Sequence, residues 1–109
     1  PPPAWPHDEL AAALAARLEC ELVITSDRLV PCETPAGSPL LGAVRRVQPS
    51  IATFGSPTCS DWVFVRKADA IKCGPGTSRR SHTPDEYVDL PEVTAARELY
   101  AAIAKEYLA

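Results

Sequence analysis

The segment from Asp89 to the end of the chain constrains the fold more than any other. Asp89-Leu90-Pro91-Glu92 has the form of a capping box, in which residues three apart satisfy each other's free backbone amides at a helix start. Val93, Ala96, Tyr100, Ile103 and Tyr107 then recur at helical spacing. The pattern predicts a long terminal helix with one apolar stripe to bury.

Two further helices are expected upstream. Ser38-Pro39 places a capping residue before a proline at the first helical position. Leu40, Leu41, Val44 and Val47 supply that helix's apolar face, and Pro49 ends it. After a stiff lead-in from Pro1 to Pro6, a first helix is expected to begin near Asp8 as N-cap, with Leu10, Leu14 and Leu18 on one face. Alanines at positions 11, 12, 13, 15 and 16 favour it. Between these helices lie short apolar runs. Cys20 to Thr25, Ile51 to Phe54 and Ala70 to Cys73 read as strands, and Leu29 to Cys32 as an extended edge. A short helix through Trp62, Phe64 and Val65 is expected after Ser60 or Asp61.

The second half thus alternates helix and strand, which predicts an α/β fold with mostly parallel strands and flanking helices. The first half reads as a different unit. Proline, glutamate and glycine accumulate between Leu29 and Gly37, where the seam is expected.

Composition narrows the function. The chain of 109 residues is 46% hydrophobic, enough for one modest core. A net charge of −3 offers no electrostatic footprint for nucleic acid. No apolar run approaches the roughly 20 residues needed to span a membrane, and no signal peptide opens the chain. The start at Pro1 reads as that of an excised piece. Cys20, Cys32, Cys59 and Cys73 form no C-x-x-C pair, so buried free thiols in a cytoplasmic protein are expected.

The stretch from Cys73 to Val88 carries the candidate chemistry. Gly74-Pro75-Gly76 closes an apolar run, and His82 follows in a polar loop with Asp85 and Glu86 behind it. Such a histidine can bind metal, with Asp85 or Glu86 on its second ring nitrogen fixing the tautomer. Taken locally, it reads first as a solvated surface residue. Gly74 and Gly76 could bring backbone amides close to a carboxylate or oxyanion, or simply make a sharp turn. Arg79 and Arg80 could attract an anion or be solvated. Thr58-Cys59-Ser60-Asp61 leads into a helix start, where amides can meet a polar ligand group or be capped by Ser60 or Asp61. No G-x-S-x-G elbow accompanies Ser60, Asp61 and His82, so a serine triad is rejected. His7 reads as a solvent-exposed residue near the first helix start.

Three blocks in order, Gly55-Ser56-Pro57-Thr58-Cys59-Ser60-Asp61-Trp62, Ile71-Lys72-Cys73-Gly74-Pro75-Gly76 and His82-Thr83-Pro84-Asp85-Glu86-Tyr87-Val88, closely resemble a known series. They are similar to the carboxy-terminal part of the acetylornithine deacetylase and succinyl-diaminopimelate desuccinylase group of the M20 metallopeptidases. The resemblance implies that residues 1–32 end an α+β lid domain of dimerisation type. It implies that residues 33–109 are the returning segment of a catalytic α/β domain. His82 matches the family's last metal ligand, and Ser60, Asp61, Gly74 and Gly76 match segments lining the substrate pocket. The implied cofactor is a zinc pair, with cobalt also compatible. The implied reaction is hydrolysis of an N-acyl amino acid by a metal-bound water, as in arginine biosynthesis.

The implied partners are the substrate, the remainder of the catalytic domain and a second copy through the lid, with no nucleic acid or membrane. The family's other ligands and its catalytic glutamate belong to an amino-terminal segment outside this sequence, so no catalytic residue is assigned. Glu33, Asp85 and Glu86 do not match those roles. The chain alone is therefore expected to bind zinc weakly, to be inactive and to fold marginally. The competing expectation is a non-catalytic α/β module that holds a small anion between the Gly74–Arg80 loop and the Thr58–Asp61 helix start.

Overall fold

The computed structural model describes residues 6–109. Its elements in chain order are α1 (His7–Ala15), α2 (Pro39–Val47), α3 (Trp62–Val65), a 3-10 turn at Ser78–Arg80 and α4 (Leu90–Leu108). Of the stiff lead-in expected from Pro1 to Pro6, residues 1–5 lie outside the described residues.

No β-strand occurs among the described residues, so the expected α/β fold with a parallel sheet is corrected to an all-helical one. The runs 20–25, 51–54 and 70–73 carry the right side chains for strands, but a strand exists only through a neighbour's backbone. In the run 70–73, side chains take two of the carbonyls that a ladder would use. The Thr34 hydroxyl donates to the Ala70 carbonyl at 2.8 Å, and the Tyr100 hydroxyl donates to the Cys73 carbonyl at 3.0 Å. Val23 and Phe54 are 68% and 82% exposed, so these runs are not packed between layers.

The chain divides into two compact units. The first comprises residues up to Glu33 together with Thr53–Ala68. Its α1 starts one residue before Asp8, with Pro6 in the N-cap position and Asp8 and Glu9 in the first turn, where they favour the helix dipole. His7 is half-buried as the first helical residue rather than fully exposed. The helix ends at Ala15, short of Leu18, and the expected leucine face is not covered, since Leu10, Leu14 and Leu18 are all exposed. In α3, Val63 is buried while Phe64 and Val65 face solvent.

The second unit, Thr34–Ala52 with Asp69–Ala109, is built on the packing of α2 against α4. Leu41, Ala43 and Val44 are buried from α2, and Ala96 and Ile103 from α4. Alanines at two of these positions let the helices approach closely, so the core is tight but small. Ser38 caps α2 as its sequence predicts, with the hydroxyl accepting the Leu41 amide at 2.9 Å. Asp69 adds what no local pattern shows. One carboxylate oxygen accepts a hydrogen bond from the Ser38 hydroxyl, and the other accepts the Leu40 amide at 2.8 Å. Arg46 and Glu106 pair across the two helices at 2.5 Å on the exposed side.

Of the capping box expected at α4, the Glu92 half is made, whereas the Asp89 side chain makes no capping hydrogen bond. The Glu92 carboxylate accepts the Asp89 amide at 3.2 Å, while the Glu92 amide is bonded to the Asp89 backbone carbonyl at 3.0 Å. All four cysteines are free, but Cys20, Cys59 and Cys73 are exposed and Cys32 is half-buried. The expectation of buried thiols is corrected, because none of them lies in the small α2–α4 core. Among the described residues, no helix is long and apolar enough to cross a membrane.

Candidate functional site

The residues from Gly74 to Glu92 fold into a closed loop leading into α4. Gly76 has φ +76°, a conformation that favours glycine, and it turns the chain after Pro75. Gly74 has no such requirement, because a Cβ there would meet only the Tyr100 hydroxyl, at 4.0 Å. Thr77 then caps the 3-10 turn through its hydroxyl, which accepts the Arg79 amide at 3.4 Å.

Arg80 leaves that turn and reaches α4. Its Nη1 donates to Glu92 Oε2 at 2.7 Å and lies 3.7 Å from an Asp89 carboxylate oxygen. The guanidinium also sits 4.5 Å from the centre of the Tyr87 ring, within cation–π range. The Arg80 hydrogen bond, and then the Asp89 amide, hold the Glu92 carboxyl below its usual range. The same hydrogen bond to Glu92 raises the Arg80 guanidinium. Arg80 is therefore engaged within the loop, while Arg79 remains exposed.

His82 stands at the crest of this loop with φ +58°, the one positive-φ residue other than glycine among those described. Its amide donates to Glu86 Oε2 at 3.0 Å. Thr83 donates its hydroxyl to the Arg80 carbonyl at 2.8 Å, and the Glu86 amide returns to the Thr83 carbonyl at 3.1 Å. The role expected for Asp85 or Glu86 on the imidazole is thus replaced: Glu86 holds the backbone of His82, not its ring. The imidazole is exposed and makes no hydrogen bond among the described residues. Both ring nitrogens are free to meet another group.

Beside His82, a surface cavity of about 380 Å³ is lined by Gly76, Thr77, Arg80, Ser81, Glu86 and Tyr87 among others. Gly76 lines this cavity, whereas Gly74 and His82 do not. Ser60 and Asp61 lie in the first unit, and Gly74, Gly76 and His82 in the second. Ser60 and Asp61 are exposed, and their backbone carbonyls accept the Val63 and Phe64 amides at 3.4 and 3.0 Å. Asp61 occupies the N-cap position of α3 without a side-chain cap, and α3 has four residues, too few for an appreciable dipole.

A metal fits this arrangement only in part. His82 offers one accessible imidazole donor, but the described residues contain no group of three or more His, Cys, Asp or Glu side chains placed to hold an ion. Zinc centres use at least three protein donors, so no catalytic step is assigned through a metal on these residues. The cluster that sequence reasoning missed is Arg80, Tyr87 and Glu92. Twelve positions separate Arg80 from Glu92, so neither helical nor strand periodicity relates them. The chain matches no family model, no curated protein and no solved structure.

Proposed function

We propose that this chain is part of a zinc-dependent amidohydrolase acting on N-acylated amino acids, to which it contributes one metal ligand, His82. The remaining ligands and the general base come from residues beyond these 109. The observation that carries the proposal is the conformation of His82. A non-glycine residue at positive φ is costly, by about 1–3 kcal/mol, and such residues cluster where a side chain is being presented for function. At His82 that conformation coincides with an exposed ring whose nitrogens are both uncommitted. The three-block resemblance supplies the chemical class. Ser60, Asp61, Gly74 and Gly76 are proposed as substrate-pocket residues on that resemblance alone.

Zinc titration of the 109-residue chain, followed through the imidazole resonances of His7 and His82, tests the ligand assignment. Selective perturbation of His82, weak in affinity and lost in His82→Ala, is the expected result. If zinc moves His7 and His82 alike, or moves neither, the assignment falls. Acetate or phosphate binding that survives both chelator and His82→Ala would instead favour a small-anion module. Intact-mass measurement of the natural protein, with an assay on N-acetylornithine, tests the larger reading. A native species of 109 residues that binds zinc tightly and cleaves the substrate would overturn the claim that other segments complete the site.

A further inference from the structure

Resting on the reading of His82 as a ligand, we infer that Glu86 is a positioning residue that presents His82 by holding its backbone amide. A charged side chain four residues after a candidate ligand would ordinarily be taken for a second ligand or for a partner to the ring. The geometry gives it neither part. Glu86 Oε2 lies 3.0 Å from the His82 amide nitrogen, and the Glu86 amide is fixed in turn by the Thr83 carbonyl at 3.1 Å. The two hydrogen bonds close a small ring over residues 82–86, and His82 sits within it at φ +58°.

The base of the ring is anchored independently. Thr83 bonds the Arg80 carbonyl, and Arg80 bonds Glu92 on the first turn of α4. Glu92 Oε2 also accepts the Asp89 amide, so the same oxygen starts the helix and ties down the loop. The 19-residue helix α4 is therefore the rigid support, Arg80 the tether, and Glu86 the clamp that sets the direction of His82. Clamping the backbone fixes a left-handed residue that would otherwise relax to negative φ, and it leaves both imidazole nitrogens available. This is how a supporting shell orients a ligand without consuming its donor atoms.

What a clamp of this kind needs is an acceptor oxygen, not a charge. Glu86→Gln keeps an acceptor, whereas Glu86→Ala removes it. In the full 109-residue chain, amide hydrogen exchange at His82 is expected to accelerate at least tenfold in Glu86→Ala and to stay within about threefold of wild type in Glu86→Gln. Exchange in α2 and α4 should be unchanged in both. Zinc titration read at the His82 imidazole should weaken severalfold in Glu86→Ala and be largely restored in Glu86→Gln. Unchanged His82 amide exchange in Glu86→Ala would overturn the clamp. Loss of zinc response in Glu86→Gln as large as in Glu86→Ala would overturn it too, making Glu86 a charged ligand. Should wild-type His82 not respond to zinc while its amide exchange follows the expected pattern, the clamp stands and the metal reading fails.

Discussion

The hydroxyl of Ser38 donates a hydrogen bond to the carboxylate of Asp69, 31 residues downstream, and helps to join the start of α2 to the segment leading toward the candidate loop. Ser38 is 6% exposed, so its hydroxyl has little water to turn to. Asp69 completes the cap by accepting the Leu40 amide while Ser38 accepts that of Leu41. Removing either partner strands buried or capping groups. Ser38→Ala and Asp69→Ala are each expected to destabilise the second unit by about 1 kcal/mol. Their effects should be markedly non-additive in a double-mutant cycle by denaturant unfolding. Additive losses would show that the two caps act separately.

Core substitutions should be felt in proportion to how few core residues there are. Ile103 is 5% exposed and Ala43 fully buried at the α2–α4 contact. Ile103→Ala is expected to cost about 2–5 kcal/mol through lost burial and an unfilled cavity. Ala43→Leu should cost about 1–3 kcal/mol by forcing the helices apart. Thermal unfolding followed by helical circular dichroism measures both, and a neutral Ala43→Leu would mean the helices are not in close contact there.

Protection should differ sharply between the units. Among the described residues of the first unit, Val63 is the one buried large apolar side chain, while Leu10, Leu14, Leu18, Leu22, Val23 and Ile24 are exposed. Local opening is easy where few apolar contacts hold a segment. Amides of α1 are therefore expected to exchange much faster than those of α2 and α4. Equal protection across all three helices would contradict this.

The Arg80–Glu92 tether makes the loop sensitive to acid. The folded-state Glu92 carboxyl titrates below its ordinary range because Arg80 and the Asp89 amide bond its ionised form. Its stabilising contribution is therefore fully present above the unfolded glutamate pKa of roughly 4.3. It is lost as pH falls through the lower folded value. Stability measured against pH should fall on this acid limb in wild type and flatten in Glu92→Gln. Identical acid limbs would show that Glu92 makes no such contribution.

Gly76 offers a test of backbone conformation separate from space. A Cβ there would meet Val88, Arg80 and Glu92 atoms no closer than 3.7 Å, so the site has room for a methyl group. Its φ of +76° is the obstacle. Gly76→Ala is expected to destabilise by about 1–2 kcal/mol, a value set by the left-handed conformation. Denaturant midpoints of the two proteins measure it, and an unchanged midpoint would mean the turn tolerates negative φ.

The sequence by itself determined the elements whose signals are local. Ser38-Pro39 set the start of α2, Pro49 followed closely on its end, and Asp89 to Glu92 set the start of α4, because caps and prolines act within one turn. It also marked Gly76 and the polar loop around His82. The tertiary structure decided whether the apolar runs at 20–25, 51–54 and 70–73 became strands, since that depends on partners no local pattern can name. Thr34 and Tyr100 took carbonyls of the last run, and no ladder formed among the described residues. It likewise decided that Arg80 would bind Glu92 and that Glu86 would hold the His82 amide. Those contacts depend on how the loop folds back on itself and onto α4, a distance in space that sequence spacing does not encode.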